Sequence, residues 1–298
     1  MKIAITGGTG FIGHHIIRHL IEQGHTCKCW YRPASVRNTL DDVAGNIEWV
    51  AGALADPESS ATLVQGCDAV VHAALFRPGE GFQGSEGDLI SFADQNIIGS
   101  LRLIEAARQA DVPRFVFIST CAVHEIILED RALDEAHPMW PRSHYGAYKA
   151  AVEEFVYSYG YRYDFDICAL RPTGVYGLHH LPDKSKWYEL VKSVGRGETE
   201  FGTPQGGKEV HAADVARAVG ILLQADGVAG QAYNCYDRYT SREEVTEIAA
   251  RLSGRDISLT RTNPGPKHQI DTSKIRKLGM EFGGTALLEA TIAQMLEV

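Results

Sequence analysis

Up to Leu170, short apolar runs alternate along the chain with stretches whose apolar residues recur at helical spacing. Residues 2–6 read as a strand, 11–23 as a helix closed by Gly24, and 26–31 as a second strand. Further strands are predicted at 47–50, 69–73, 115–119 and 165–170, with helices at 58–65, 88–110 and 145–159 between them. Strands alternating with helices imply an α/β fold, a doubly wound parallel sheet covered on both faces. Beyond Gly177 the pattern loosens. It gives helices near 185–195, 212–225, 241–253 and 285–296, a glycine-rich segment at 202–207 and a short strand at 232–235. The domain division that follows is a first domain over 1–176, completed by about 210–238, and a smaller substrate lobe from 177–209 and 239–298. The glycine-rich connection 76–88, with Phe76 and Phe82, is either a mobile lid or a plain solvent loop.

The 298 residues are 44% hydrophobic and 22% charged, ordinary for a globular protein with a sizeable core. A formal net charge of -9 argues against nucleic-acid binding, which needs a basic surface. No apolar run approaches the ~20 residues of a membrane span, and the first is too short for a signal peptide, so a cytoplasmic protein is expected. Six cysteines include no Cys-x-x-Cys pair, and Cys27 and Cys29 read as buried small hydrophobes. Cys121 follows Thr120, yet without a partner histidine it is a poor nucleophile candidate. His179 and His180 are adjacent and would point apart on a regular element, so no metal site is expected.

The segment Thr6-Gly7-Gly8-Thr9-Gly10-Phe11-Ile12-Gly13 lies where the first strand meets the first helix. Glycines there permit a tight turn and close approach of backbone to a pyrophosphate, while the helix N-terminus supplies N–H groups and a positive dipole end. With a strand before it and an amphipathic helix after it, this pattern predicts a Rossmann-type dinucleotide-binding domain. At the end of the second strand, where an acidic residue would accept from an NAD ribose, stands Arg32, followed by Ser35 and Arg37. A guanidinium suits a 2'-phosphate, so NADP is favoured, with NAD possible. The stretch from Gly202 to Glu209 mimics a phosphate loop, but Glu209 replaces the magnesium-binding Ser or Thr, and it reads as a surface turn.

Tyr145 and Lys149, at i and i+4, would share one face of a helix, placing an ammonium beside a phenol. A nearby positive charge favours phenolate, so the pair is a candidate proton donor and acceptor. Tyr148 cannot share that face with Lys149 and reads as packing, in a stripe with Ala151, Val152, Phe155 and Tyr159.

Together these motifs resemble the extended short-chain dehydrogenase/reductases, the NAD-dependent epimerase/dehydratase family. Also similar are Val71-His72-Ala73-Ala74, Asn96 to Ser100, Phe117 to Thr120, Glu153 after the Tyr/Lys pair, Leu170-Arg171-Pro172-Thr173-Gly174-Val175-Tyr176-Gly177, Val210 to Ala216 and Asp271 to Lys274. The resemblance implies Thr120, Tyr145 and Lys149 as catalytic residues, with Thr120 orienting the reacting oxygen and Ser119 next in line. It implies cofactor contacts at Gly7, Gly10, Phe11, Ile12, Gly13, Arg32, Leu54, Ala73, Ala74, Tyr145, Lys149 and Pro172. His124 and Thr173 would face a small-molecule substrate, and a homodimer would form through the helices at 88–110 and 145–159.

Departures from the family pattern narrow the chemistry. Cys121 and Ala122 stand where dehydratases of the family carry acids, which disfavours dehydration. Gly174 replaces an Asn, and no arginine stands near Gly207, so the usual anchors of a nucleotide-sugar diphosphate are missing. Ala53 stands where an Asp contacts adenine, which leaves the Leu54 backbone for that contact. The expectation is therefore an NADP(H)-dependent carbonyl reductase or alcohol dehydrogenase acting on a small or aromatic carbonyl or alcohol. The alternatives are a nucleotide-sugar epimerase working by transient oxidation with tightly bound NAD, and a catalytically silent NAD(P) sensor.

Overall fold

The computed structural model describes residues 1–79, 84, 86–198, 205–257, 265 and 267–298. Among them a seven-stranded parallel sheet has the order β3-β2-β1-β4-β5-β6-β9. Its strands are β1 (Lys2–Thr6), β2 (Thr26–Tyr31), β3 (Ile47–Ala51), β4 (Ala69–His72), β5 (Arg114–Ile118), β6 (Asp166–Pro172) and β9 (Gln231–Cys235). The order reverses direction at β1, opening a crevice between β1 and β4 at their carboxyl ends, where ligands of such sheets bind. Ile3, Ala4, Ile5, Val70, Val71, Phe115, Val116 and Phe117 are fully buried, because a parallel sheet covered on both faces has no polar side. Each of the Ile, Val and Phe side chains among them contributes about 1.5–3 kcal/mol by leaving water.

The first helix, α1 (Phe11–Glu22), buries Gly13, His14, Ile16, Ile17 and Leu20, a 3-4 stripe that packs against α7 (Ala212–Leu222). Gly24, at φ +81°, ends it. On the other face lie α2 (Pro57–Val64), capped by Asp56, α3 (Leu89–Ala93), capped by Asp88, α4 (Gly99–Gln109) and α5 (His144–Tyr163). α5 starts where Ser143 accepts from the Gly146 N–H and ends at Asp164 in the left-handed region. Where one helix is predicted over 88–110, a π-turn at Asp94–Ile98 separates α3 from α4. Asn96 in that turn is buried, and its amide both donates to and accepts from the Phe76 backbone, at 2.9 and 2.8 Å.

A second sheet, β10-β8-β7, combines β7 (Gly174–Tyr176), β8 (Gly206–His211) and β10 (Arg238–Ser241). It carries α6 (Tyr188–Arg196), α8 (Arg242–Ser253) and α10 (Gly284–Glu297), whose cluster around Tyr176, Val191, Ile248 and Ile292 is separate from the two clusters flanking the large sheet. Of the predicted surface turn 202–209, residues 202–204 lie outside the described residues, and Gly206 to Glu209 are strand. Parts of the connection 76–88, namely 80–83 and 85, also lie outside them. The stretch after α9 (Ser273–Arg276) leaves the small lobe: Ile275 and Met280 are buried in the α1 and α7 cluster. Among the described residues no helix is long and apolar enough to cross a membrane.

Candidate active site

The phosphate loop is built by exclusion of side chains. Gly7 has φ +74°, and a β-carbon there would sit 2.7 Å from the Ala73 carbonyl. One on Gly13 would lie 2.1 Å from the Gly7 oxygen. Only glycine lets β1, β4 and the start of α1 come this close. The first-turn N–H groups of α1, on Phe11, Ile12 and Gly13, have no partners within the helix and point toward the crevice end with the positive pole. Thr6 locks the loop from beneath. Ser100 donates to the Asn96 carbonyl at 2.5 Å, so its oxygen accepts from His72 Nε2 at 2.8 Å, and His72 Nδ1 must accept from the Thr6 hydroxyl at 2.6 Å. Burial holds His72 neutral, pulling it down to about 3, with the Lys149 charge adding to the effect.

From the loop a cleft of about 270 Å³ runs toward β2 and β3, lined by Gly7, Trp30, Arg32, Leu54, Ala74 and Phe76 among others. Leu54 forms its wall beside Ala53, and Arg32 is exposed at its rim, its N–H donating to Ser35 Oγ at 3.0 Å. Among the described residues no acidic side chain lines the cleft. Arg37, which follows Arg32 and Ser35 in the chain, stacks on Tyr31 at 4.1 Å. A larger hollow of about 640 Å³ lies in the small lobe, but Glu243, Glu244, Glu247 and Glu289 line it, the wrong charge for a phosphate.

At the other end of the crevice, Thr120, Tyr145 and Lys149 come together. Thr120 caps the turn Cys121–His124, accepting from the Ala122 N–H at 3.2 Å, and hydrogen-bonds the Tyr145 hydroxyl. Burial pushes Tyr145 up to about 12, against the pull of Thr120 and of the Arg77 charge. Lys149, one helical turn further along α5, turns its ammonium to the Ile118 carbonyl at 2.5 Å, and it lies 4.6 Å from the Phe117 ring centroid. Burial lowers Lys149 to about 7, opposed by Glu153. Sequence gave no sign of Arg77, which sits in the connection after β4.

Beneath these groups is a buried ion pair. Arg171 donates to Glu153 through Nε at 2.9 and 3.1 Å and Nη2 at 2.6 Å, and both side chains are 0% exposed. Ser119 donates to the same carboxylate, so it is occupied there and is not an alternative to Thr120. Arg171 Nη1 lies 3.0 Å from His124 Nε2. A guanidinium only donates, so Nε2 accepts and the Nδ1–H donates to the Pro138 carbonyl at 3.1 Å. His124 is 4% exposed with both ring nitrogens in use, which corrects its assignment as a substrate contact. Burial and the Arg171 charge hold it neutral, down to about 4. Thr173 does fit such a contact: its Oγ1 is buried without a partner among the described residues.

Tyr148 is 3% exposed and packs edge-on against Phe92, as expected. Phe155 departs from the predicted stripe and is 40% exposed, the buried positions being Val152 and Val156. Cys121 is a protonated thiol, pushed up to about 12 by burial, donating to the Arg171 carbonyl at 3.0 Å. The rings of His179 and His180 lie 4.0 Å apart rather than pointing away from each other, with His14 stacked on His180. No group of three metal-ligating side chains occurs among the described residues.

A model of the NAD dependent epimerase/dehydratase family matches residues 3–235. The low-salt glycan biosynthesis protein Agl12 of Haloferax volcanii is 27% identical over 295 residues, 94% of this chain and 93% of that protein. The dTDP-D-glucose 4,6-dehydratase of Mus musculus is 31% identical over 245 residues, 78% of this chain and 67% of that protein. Among solved structures, DesIV, a dTDP-glucose 4,6-dehydratase from Streptomyces venezuelae with NAD bound, superposes with a TM-score of 0.78 at 26% identity, covering 100% of this chain and 96% of that one. A UDP-glucose 4-epimerase from Thermotoga maritima shares the fold, with a TM-score of 0.79 at 24% identity over 100% and 98% of the two chains. The Mus musculus protein and DesIV act, by their names, on a nucleotide sugar. They overturn the expectation of a carbonyl reductase or alcohol dehydrogenase acting on small or aromatic compounds, and favour the nucleotide-sugar alternative. The side chains missing at Gly174 and near Gly207 do not show that no other group holds the phosphates.

Proposed function

Because the chain belongs to the NAD dependent epimerase/dehydratase family, we propose that it is a nucleotide-sugar epimerase that inverts a sugar carbon by transient oxidation, with its coenzyme retained. The observation that carries this reading is the Tyr145 hydroxyl on Thr120, with Lys149 one turn further along α5, at the mouth of the dinucleotide crevice. The crevice suits NAD: Gly7 and Gly13 leave no room for a β-carbon where a pyrophosphate must approach, and the N-terminus of α1 faces it. Gly10, Phe11 and Ile12 would hold the pyrophosphate. Leu54 would pack on adenine, and Ala73, Ala74 and Pro172 would line the rest. Arg32, with no carboxylate among the described residues that line the cleft, supports acceptance of the 2'-phosphorylated coenzyme as well.

Bound coenzyme supplies a reversible hydride acceptor; the chain supplies orientation and the proton. Thr120 fixes the sugar oxygen, and Tyr145 takes the proton of that hydroxyl and later returns it. At about 12, Tyr145 is almost wholly protonated at neutral pH, so forming the phenolate that acts as the base needs a positive charge close by. Lys149 on the same face can swing from the Ile118 carbonyl toward it. Thr173, with its unpartnered hydroxyl, would steady the sugar.

Epimerisation is favoured over dehydration by Cys121 and Ala122. Elimination of water needs an acid beside Thr120, and the Cys121 thiol, at about 12, is committed to the Arg171 carbonyl. We also propose a homodimer through α3, α4 and α5, supported by the exposed apolar side chains Ile90, Ile98 and Phe155 on those segments. The functional reading is tested by incubating the NAD-loaded protein with a panel of UDP- and dTDP-hexoses and separating epimers chromatographically. An equilibrium pair of epimers is expected; a 4-keto-6-deoxy product would mean dehydration instead.

A further inference from the structure

Strand β8 carries opposite charges on its two faces. Successive side chains of a strand point to opposite sides, so Gly207 and Glu209 share one face and Lys208 and Val210 the other. On the first face Glu209 fills space that glycines leave. A β-carbon on Gly174, its partner on β7, would lie 2.6 Å from Oε2, and one on Gly207 would lie 2.4 Å from Oε1. The Glu209 side chain is 4% exposed. Lys186 donates to Oε1 at 2.5 Å, and Oε2 has no partner among the described residues. A diphosphate needs cations or N–H donors, and this space presents a buried carboxylate whose charge is matched only by Lys186.

The second face is different. Val210 on it is buried in the core of the large sheet, so this side of β8 looks toward the coenzyme domain. Lys208 lies near enough to Cys121, the neighbour of Thr120, for its charge to bear on ionisation of that thiol. The residue is partly buried, and its ammonium makes no hydrogen bond or ion pair with the described residues. Burying a cation without a counter-charge is unfavourable, which points to an anion arriving with a ligand. Two other basic groups nearby are already engaged in ion pairs: Arg171 with Glu153, and Lys186 with Glu209.

We propose that Lys208 anchors the diphosphate of the substrate, on the face of β8 that looks toward Thr120, while Glu209 bars phosphate from the space between Gly174 and Gly207. The inference rests on the nucleotide-sugar reading only for the identity of the anion. It makes Lys208 and Glu209 the residues that determine how this chain seats its substrate.

The test titrates NAD-loaded wild type, Lys208→Gln, Lys208→Arg and Glu209→Gln with UDP, dTDP and inorganic pyrophosphate by calorimetry. Loss of a charge-assisted contact weakens UDP binding in Lys208→Gln by about tenfold to a hundredfold. Lys208→Arg keeps the charge and stays within about threefold, and Glu209→Gln tightens binding by about threefold to tenfold through removal of like charge. Coenzyme affinity stays at the wild-type value in all three. An unchanged Kd for UDP in Lys208→Gln overturns the proposal. So does a parallel loss of NAD affinity, which would assign Lys208 to the coenzyme. If wild type binds pyrophosphate through Lys208 but neither UDP nor dTDP, the anion site stands and the nucleotide-sugar reading falls. If wild type binds none of the three, the anion site falls, and turnover of sugar nucleotides judges the reading separately.

Discussion

Glu153→Gln probes the support beneath the catalytic residues. Glu153 and Arg171 are both fully buried, joined by three contacts of 2.6–3.1 Å. The substitution keeps the shape and removes the charge, leaving the guanidinium with the Tyr157 hydroxyl, His124 Nε2 and the Glu135 carbonyl. Breaking one side of a buried pair costs about 3–5 kcal/mol, mostly from the charge left uncompensated. Unfolding entropy is about 2.1 cal/mol/K per residue, about 0.6 kcal/mol/K for this chain, so Tm should fall by about 5–8 °C. Ser119 also loses its charged acceptor, which loosens the end of β5 that presents Thr120. Turnover should therefore fall more than coenzyme affinity. Circular dichroism melts of wild type and Glu153→Gln check the stability, with Glu105→Gln as comparator. Glu105 pairs with Arg108, but about a third of each side chain is exposed, and such pairs are worth at most ~1 kcal/mol. A Glu153→Gln shift no larger than that of Glu105→Gln would refute the claim that the buried pair holds the site together.

Arg32→Ala should weaken NADP binding at least about tenfold more than NAD binding, since it removes a charged contact to the 2'-phosphate alone; equal losses in calorimetry would remove Arg32 from that role. Gly13→Ala should abolish binding of either coenzyme, because its methyl would overlap the Gly7 carbonyl at 2.1 Å; retained binding would show that the loop is not the pyrophosphate site. Acidification should destabilise the fold through His72. Its folded value of about 3 lies below the ordinary histidine value of 6.5, so the unfolded chain binds the extra proton. This stability is complete above 6.5 and declines as pH falls toward 3, with about 2 kcal/mol lost by about pH 5. Denaturant titrations at neutral and acid pH measure it, and a His72→Gln variant with the same slope as wild type would contradict the assignment.

The legible parts of the fold were those written in local pattern. The phosphate loop needs glycines at fixed offsets between a strand and a helix, and the Tyr145 and Lys149 pair needs only helical spacing, so both were readable. The β7, β8 and β10 sheet was not. Its strands are three to six residues long, and Gly206 and Gly207 look like turn residues when read alone. They are glycines because Tyr239 and Glu209 occupy the space above them. The same fact hid Lys208 and Glu209, whose opposite faces appear only once β8 is known to be a strand. His124 was misread for a related reason: its position in the chain suggested a substrate contact, while Arg171, 47 residues on, claims its Nε2. The π-turn at Asp94–Ile98 left no mark in the apolar spacing, because Asn96 serves the Phe76 backbone rather than the core.

The most direct test of the central claim uses a UDP- or dTDP-hexose deuterated at the carbon to be inverted, with NAD-loaded wild type and Tyr145→Phe. Wild type is predicted to release the epimer with the deuterium retained and no net consumption of coenzyme, while Tyr145→Phe binds coenzyme normally and turns over at least about a hundredfold more slowly. Washout of the deuterium into solvent, net reduction of coenzyme, or unchanged turnover by Tyr145→Phe would contradict it.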